Sequence, residues 1–105
     1  MTKQKCNFFV HDDSTNFIDY ATCIDGLLVM NGKYAVNSSW TATSKVQLSA
    51  NTKYYFNTAI TGFANHYALF DDNGNVLSSE ATGNLTSPFT TPNDVAYGLF
   101  SFQTS

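Results

Sequence analysis

Tight-turn dipeptides recur along this chain at short intervals. Asp25-Gly26, Asn31-Gly32 and Asn73-Gly74 each join a residue that tolerates positive φ to a glycine. Such pairs are the strongest local signal for a two-residue hairpin turn, in which the flanking strands run antiparallel. Turns at this spacing leave little room for long helices, so the pattern predicts many short antiparallel strands.

Short runs rich in apolar residues lie between these turns. Lys45–Ser49 alternates, with Val46 and Leu48 on one face, and Val95–Phe102 closes the chain with a longer run. Strands of this length predict an all-β sandwich or small barrel in a single domain over residues 1–105, with residues 1–6 flexible or extraneous to the fold. The residues expected in the core are Val46, Leu48, Tyr54, Phe56, Phe70, Phe100 and Phe102.

The composition is polar but weakly charged. Only 12% of residues are charged, about half the usual share, whereas Thr, Asn and Ser together make up 34 of 105 residues. Hydroxyl and amide groups bond to neutral polyols as readily as to water, so this composition is compatible with sugar binding. It is equally typical of β structure, because β-branched Thr favours strands. Both interpretations stay open.

The charge balance excludes two classes of partner. The net charge is -3, with five Lys and no Arg, so no cluster of cations is expected to engage nucleic acid phosphates or an anionic membrane surface. No apolar run approaches the roughly 20 residues that cross a bilayer. We expect no secretion signal in the first residues, since no small-residue cleavage site follows them.

Catalytic and metal-binding patterns are not evident. A glycosidase needs two opposed carboxylates, but Glu80 is the only Glu and the Asp residues cluster at turns. His11 and His66 stand alone, without metal-ligand spacing. The sequence therefore predicts neither an enzyme nor a cofactor site. Cys6 and Cys23 could form a bridge, although free thiols are favoured in a chain with an adequate core.

The segment Asp71–Asn75 resembles the start of a calcium loop. The Glu that completes such a loop is missing, because position 82 is Thr82. We therefore expect a hydrogen-bonded hairpin turn and no metal site. A structural calcium built from scattered carboxylates and carbonyls stays an open alternative that this sequence does not indicate.

An ordered series of short motifs covers most of the chain. It comprises Asn7-Phe8-Phe9, Gly26-Leu27-Leu28, Ser39-Trp40-Thr41-Ala42-Thr43-Ser44, Val46-x-Leu48, Asn51-Thr52-Lys53-Tyr54, Phe70-Asp71-Asp72-Asn73-Gly74-Asn75-Val76-Leu77-Ser78, Phe89-Thr90-Thr91-Pro92 and Ala96-Tyr97. The series resembles a known family, the jelly-roll carbohydrate-binding-type modules in tail, baseplate and fibre proteins of phages that infect Gram-positive bacteria. One position departs from the pattern. Leu99 stands where the family often has Arg, so a site built on that Arg is not expected.

The resemblance implies an antiparallel jelly-roll β-sandwich on the virion surface, made in the bacterial cytoplasm. It implies a non-catalytic module that recognises host cell-wall saccharide as part of a larger virion protein. Two alternatives stay open: a structural module that packs or trimerises within the virion, and an accessory binding domain of a cell-wall hydrolase.

Strand parity predicts a binding face. If Phe70 and the Phe residues of the last strand face the core, Tyr67 and Leu69 face outward together with Tyr97 and Leu99. An outward face with two Tyr and two Leu is typical of a ligand platform or a partner interface. Inverted parity, or a covering loop, is the alternative.

Further residues are candidates for the same role. Asn65 and Asn93 are expected at the rim, where their amides can direct hydrogen bonds. Trp40, the only Trp, could stack on a sugar ring together with Tyr34, or it could pack at the sandwich edge.

Overall fold

The protein is all-β, as the sequence predicts. A computed structural model describes residues 8–9, 17–18, 20–56 and 62–103. About 51% of these residues lie in strands, and there is no α-helix among them. A single 3-10 turn, Tyr20–Thr22, precedes the second strand. Within the same residues, no helix is long and apolar enough to cross a membrane.

The described residues form two antiparallel sheets. The smaller has the order β1-β5-β8, and the larger has the order β2-β3-β9-β6-β7 with β4 also paired to β9. The strands are β1 (Phe8–Phe9), β2 (Ile24–Met30), β3 (Lys33–Ala42), β4 (Val46–Gln47), β5 (Lys53–Phe56), β6 (Tyr67–Phe70), β7 (Val76–Ser79), β8 (Phe89–Thr90) and β9 (Tyr97–Gln103).

Aromatic side chains fill the space between the two sheets. Phe100 of β9 lies at the centre, with its ring 4.9 Å from the rings of both Phe8 and Phe63. The Phe63 and Phe100 rings are nearly parallel, at 2°. Such contacts add to the free energy gained from burying the rings. The main members of this first core are Phe8, Val46, Leu48, Tyr54, Phe56, Phe63, Tyr67, Leu69, Phe89, Phe100 and Phe102. The sandwich prediction is confirmed.

Strands β3 and β4 follow one edge of β9 and are separated by a short irregular segment. Ala42 pairs with Ser101, and Val46 pairs with Gly98. Between them Thr43 makes two contacts with Phe100: its backbone N–H donates to the Phe100 carbonyl at 2.7 Å, and its hydroxyl accepts from the Phe100 N–H at 3.0 Å. The hydroxyl thus replaces a carbonyl partner where the ladder is interrupted, so the buried Phe100 N–H keeps a hydrogen-bond partner.

The end of β3 pairs with β9, and the rest of the β2–β3 hairpin folds back over the outer face of the larger sheet. Its turn is Asn31-Gly32, with φ values of 54° and 77°, as the sequence predicts. Gly32 packs so closely on Val76 of β7 that a Cβ there would lie 2.6 Å from the Val76 side chain. The Val29 N–H donates to the Ser101 hydroxyl at 2.9 Å, which fixes the hairpin over β9.

The hairpin creates a second apolar core on that face. Its members are Val29, Ala42, Ala68, Phe70 and Leu99, with Leu27 and Tyr97 packed against them. Strands β6 and β9 are therefore buried on both faces. Continuous apolar runs such as Tyr67–Phe70 are typical of strands in that position.

The parity predicted for β6 is wrong. Tyr67 pairs with Phe100 and Phe70 pairs with Tyr97, so Tyr67 shares the inner face with Phe100. Phe70 lies on the opposite face, in the second core. All seven residues expected in the core are buried. Alternation within one strand fixes which residues share a face, but only the pairing register relates one strand to its neighbour.

The sequence interpretations of the first residues lie outside the described part of the chain. Residues 1–6, expected to be flexible or extraneous, are not described, and Cys6 is among them. The expectation about Cys6 and Cys23 therefore stays a prediction.

Truncating Phe70 should show that the second core matters for stability. We expect Phe70→Ala to lower the free energy of unfolding by about 3–5 kcal/mol, because a buried ring is lost and a cavity is left under the hairpin. Urea denaturation measures this loss. Val36→Ala is the control, since Val36 is 89% exposed, and it should cost well under about 1.5 kcal/mol. Similar losses for the two variants would contradict the second core.

Candidate functional site

The predicted aromatic platform does not exist. Tyr67 and Tyr97 lie on opposite faces of the sheet, because Tyr67 pairs with Phe100 whereas Tyr97 pairs with Phe70. Tyr67 is only 2% exposed. Leu99 keeps the outward parity that was predicted, but the hairpin covers that face, so Leu99 is buried in the second core.

Tyr97 is half-buried and held from both sides. Its ring stacks on Phe70 with the centroids 4.8 Å apart and the planes at 12°. The Lys45 ammonium lies 4.7 Å from the ring centroid, within the range of a cation–π contact. These neighbours leave little of the ring for a ligand.

Trp40 packs at the sandwich edge, the structural alternative that the sequence left open. The indole is 8% exposed and meets the His66 ring edge-on, with the centroids 4.8 Å apart. Gly62, at φ 96°, lies directly against the indole, and a side chain there would overlap it. Trp40 is therefore core material and not an exposed platform.

The other three candidates lie apart from one another. Tyr34, at 40% exposed, donates from its hydroxyl to the Thr43 carbonyl at 2.6 Å. Burial, with a smaller effect of Cys23, raises the pKa of Tyr34. Asn65 and Asn93 are exposed, and the Asn93 side chain accepts from Asn51 at 3.1 Å. The structure does not bring these residues together.

A cleft instead opens at the edge of the sandwich, between strands β7 and β8. Its volume is about 220 Å³. The segment 80–88, which connects the two strands across the open edge, forms one wall. The lining residues are Tyr67, Leu69, Ser78, Thr82, Gly83, Asn84, Leu85, Thr86, Phe89, Thr90 and Pro92. The cleft, not the outer face, is the candidate site.

The chemistry of the cleft changes from floor to rim. Tyr67, Leu69 and Phe89 belong to the first core and form an apolar floor. Thr82, Asn84, Thr86 and Thr90 are exposed and form a polar rim. Among the described residues of the lining, none is Asp, Glu, Lys or His. An apolar floor with a few polar groups is typical of small-molecule sites.

Hydrogen bonds hold the wall of the cleft at three points. The Tyr67 hydroxyl donates to the Gly83 carbonyl at 2.9 Å. The Leu85 N–H donates to the Ala64 carbonyl at 2.9 Å. The Phe56 N–H donates to the Ser87 hydroxyl at 3.0 Å. The segment is thereby fixed to both sheets and to residues 62–65, so the cleft is formed before any ligand arrives.

Three hydroxyl groups form a chain along one side of the cleft. The Tyr67 and Ser78 oxygens are 2.9 Å apart, and the Ser78 and Thr82 oxygens are 3.3 Å apart. The Thr82 hydroxyl also donates to the Ser79 carbonyl at 2.9 Å. Ser78 points into the cleft because it pairs with Leu69 and so shares the inner face.

The turn at Asp71–Asn75 is the hydrogen-bonded hairpin turn that the sequence predicts. The Asp71 carboxylate accepts from the backbone N–H groups of Asn73 and Asn75, each at 2.9 Å. These bonds, that from Asn75 foremost, lower the pKa of Asp71. Within the described residues no group of three or more His, Cys, Asp or Glu could hold a metal ion.

Most of the cleft was missed at the sequence level. Of the predicted site residues only Tyr67 lines it. The signal that could have found the others is the polar run 78–87, which is too long for a hairpin turn and rich in Ser and Thr. Long connections of this kind often carry function.

Comparison of the chain with protein-family models, with curated proteins and with solved structures finds no match in any of the three. No family is assigned to the chain. The resemblance to phage carbohydrate-binding modules stays an expectation, and the cleft supplies the physical argument about function.

Asp71 should give the protein an acid-sensitive turn. Its pKa is lowered by folding, so its stabilising effect is present above the unfolded value of about 3.9 and is lost as the pH falls through the folded pKa. We expect Asp71→Asn to remove this pH-dependent part of the free energy of unfolding, as measured by urea denaturation at several pH values from neutral to acid. Asp72→Asn keeps the Asp71 hydrogen bonds and is the control. An Asp71 carboxyl that titrates by NMR at or above the ordinary value would contradict the prediction.

Proposed function

We propose that this chain is a non-catalytic module that binds a neutral saccharide in the edge cleft. The observation that carries the proposal is an uncharged cleft with an apolar floor and a rim of hydroxyl and amide groups. Sugar rings combine apolar C–H faces with many hydroxyls, so they match such a lining. The lack of carboxylate and imidazole groups among the described lining residues supports binding rather than catalysis.

The size of the cleft favours a small ligand unit. Its volume of about 220 Å³ lies below the roughly 300–1,000 Å³ of pockets that enclose drug-sized molecules. One sugar ring, such as the terminal unit of a chain, suits that volume better than a longer segment. The fixed wall favours binding, because little order has to be imposed on the protein.

The biological setting rests on the motif series. A module that resembles phage tail and baseplate domains would recognise saccharide on the host cell wall as part of a larger virion protein. A small neutral site gives modest affinity, in the range of about -4 to -6 kcal/mol. Many copies on one particle would raise the effective strength through multivalency. Salt should affect binding little, because no described lining residue is a cation.

Removing the rim amide should test the cleft directly. We expect Asn84→Ala to weaken binding to isolated Gram-positive cell walls about fivefold, the equivalent of about one hydrogen bond. Asn84 is exposed, so the fold should survive, and circular dichroism checks this. Asn73→Ala changes an exposed amide in the turn between β6 and β7 and is the matched control. Equal binding by both variants and the parent would place the site elsewhere.

A structural role is the second candidate, and the hairpin favours it. Val36 of β3 is 89% exposed, and Ile24, Met30 and Tyr34 are each about two-fifths exposed. These side chains all belong to one hairpin, in which the register places Tyr34 and Val36 on one face and Met30 on the other. Neighbouring exposed apolar residues such as Tyr34 and Val36 are typical of protein interfaces. Packing between modules of a virion protein would use this surface.

Sedimentation analysis separates the structural role from the binding role. If the hairpin packs modules together, the protein should self-associate and Val36→Lys should produce monomers, because the added charge would be desolvated in the contact. Asn93→Lys, with the same change of charge at an exposed position outside the hairpin, should leave association unchanged. A protein that is monomeric at high concentration would count against the structural role.

A further inference from the structure

We infer that the cleft selects a ligand unit that donates hydrogen bonds to the hydroxyl oxygens of Ser78 and Thr82, and that it rejects an anionic unit in the same place. The inference rests on the proposed function and narrows the ligand class. It follows from the acceptors to which the hydroxyl groups of Tyr67, Ser78 and Thr82 donate their protons.

Two of the three hydroxyl protons are committed to backbone carbonyls. The Tyr67 hydroxyl donates to the Gly83 carbonyl at 2.9 Å. The Thr82 hydroxyl donates to the Ser79 carbonyl, also at 2.9 Å. A hydroxyl has a single proton, so neither group has one to offer a ligand while these bonds persist.

The third proton is used within the chain itself. Ser78 lies 2.9 Å from the Tyr67 oxygen and 3.3 Å from the Thr82 oxygen. Because both of those neighbours donate elsewhere, Ser78 is the donor in either contact. Its proton is therefore committed as well.

Counting the acceptor sites in the same way shows that lone pairs on the hydroxyl oxygens stay available to a ligand. A Ser or Thr hydroxyl oxygen has two acceptor sites, whereas the Tyr phenolic oxygen serves as one donor and one acceptor. Tyr67 accepts from Ser78, and Thr82 accepts from the Ser79 N–H at 3.1 Å. Ser78 accepts from neither neighbour, because Tyr67 and Thr82 both donate to backbone carbonyls. This side of the cleft thus presents acceptors, and a ligand hydroxyl or amide N–H can satisfy them.

The described residues of the rim supply neutral donors, from Asn84 and Thr90, but no cation. The Thr86 hydroxyl donates to the Pro88 carbonyl at 2.9 Å. Asn84, which is exposed, carries both donors and an acceptor. No Lys or Arg occurs among the described lining residues. A carboxylate or phosphate would face oxygen lone pairs without a counter-charge and would lose hydration on entry.

The test compares neutral and anionic sugars that share a ring. Labelled protein is titrated with glucose, glucuronic acid and glucose 6-phosphate, and with N-acetylglucosamine and N-acetylmuramic acid, while backbone amide shifts are followed by NMR. We expect the neutral sugars to shift the amides of Gly83, Asn84 and Thr86. The anionic partners should bind at least about tenfold more weakly, since unsatisfied polar groups are costly.

A variant of the hydroxyl chain tests the same point. Ser78→Ala removes the oxygen with the most open acceptor sites and should weaken binding of the neutral sugar about fivefold. Ser38→Ala, at an exposed position on β3, is the matched control. The sugar comparison on the parent protein stands by itself if Ser78→Ala does not fold.

The outcomes separate the inference from the proposed function. Anionic sugars that bind the cleft as well as the neutral ones would overturn the inference and leave saccharide binding intact. If a neutral sugar shifts only amides remote from the cleft, the inference fails together with the cleft as the binding site, although the protein still binds saccharide. If neither these sugars nor a neutral Gram-positive wall polysaccharide shifts any amide, the inference and the proposed function both fail.

Discussion

The pairing of β6 with β9 is the constraint on which the rest of the structure depends. The register sets Tyr67 opposite Phe100 and Phe70 opposite Tyr97. One face of the pair therefore meets the rings of the smaller sheet, and the other needs a separate cover. The β2–β3 hairpin provides it, with Val29 buried against Phe70 and Leu99. Without that cover the second face would expose apolar side chains to water, at a cost of about 25 cal/mol per Å².

Covering one face also determines where a ligand can bind. The hairpin takes the broad outer face, and the cleft gives access to Tyr67 and Phe89 of the first core at the open edge, between β7 and β8. The segment between these strands carries Thr82 and Asn84 to that edge. Because Tyr67 reaches through the core to hydrogen bond Gly83, one side chain both completes the core and fixes the wall of the cleft. Loss of its ring would disturb both, so rim residues are the sharper probes of binding.

The polar side chains serve the fold as well as the site. Thr43 closes an interruption of the β9 ladder, and Ser101 donates to the His66 carbonyl while accepting from Val29. Part of the hydroxyl-rich composition is therefore structural, as the alternative interpretation held. In the cleft the same chemistry has a different result. The Tyr67 and Thr82 hydroxyls donate their protons to backbone carbonyls, so oxygen lone pairs of the hydroxyl chain face the cleft. The inferred preference for ligands that donate hydrogen bonds follows from this arrangement.

The sequence by itself determined the fold class, the Asn31-Gly32 turn and the hydrogen-bonded turn at Asp71, because these depend on local backbone preference and alternation. It also identified all seven core residues that were named, and Phe70 is buried despite the inverted parity because both faces of β6 are covered. Only the tertiary structure decided that Phe70 faces the hairpin and Tyr67 the inner core. A shift of one residue in register exchanges the two faces of a strand, and the register depends on distant partners. The cleft follows from that choice, so the sequence could supply Tyr67 but not its surroundings.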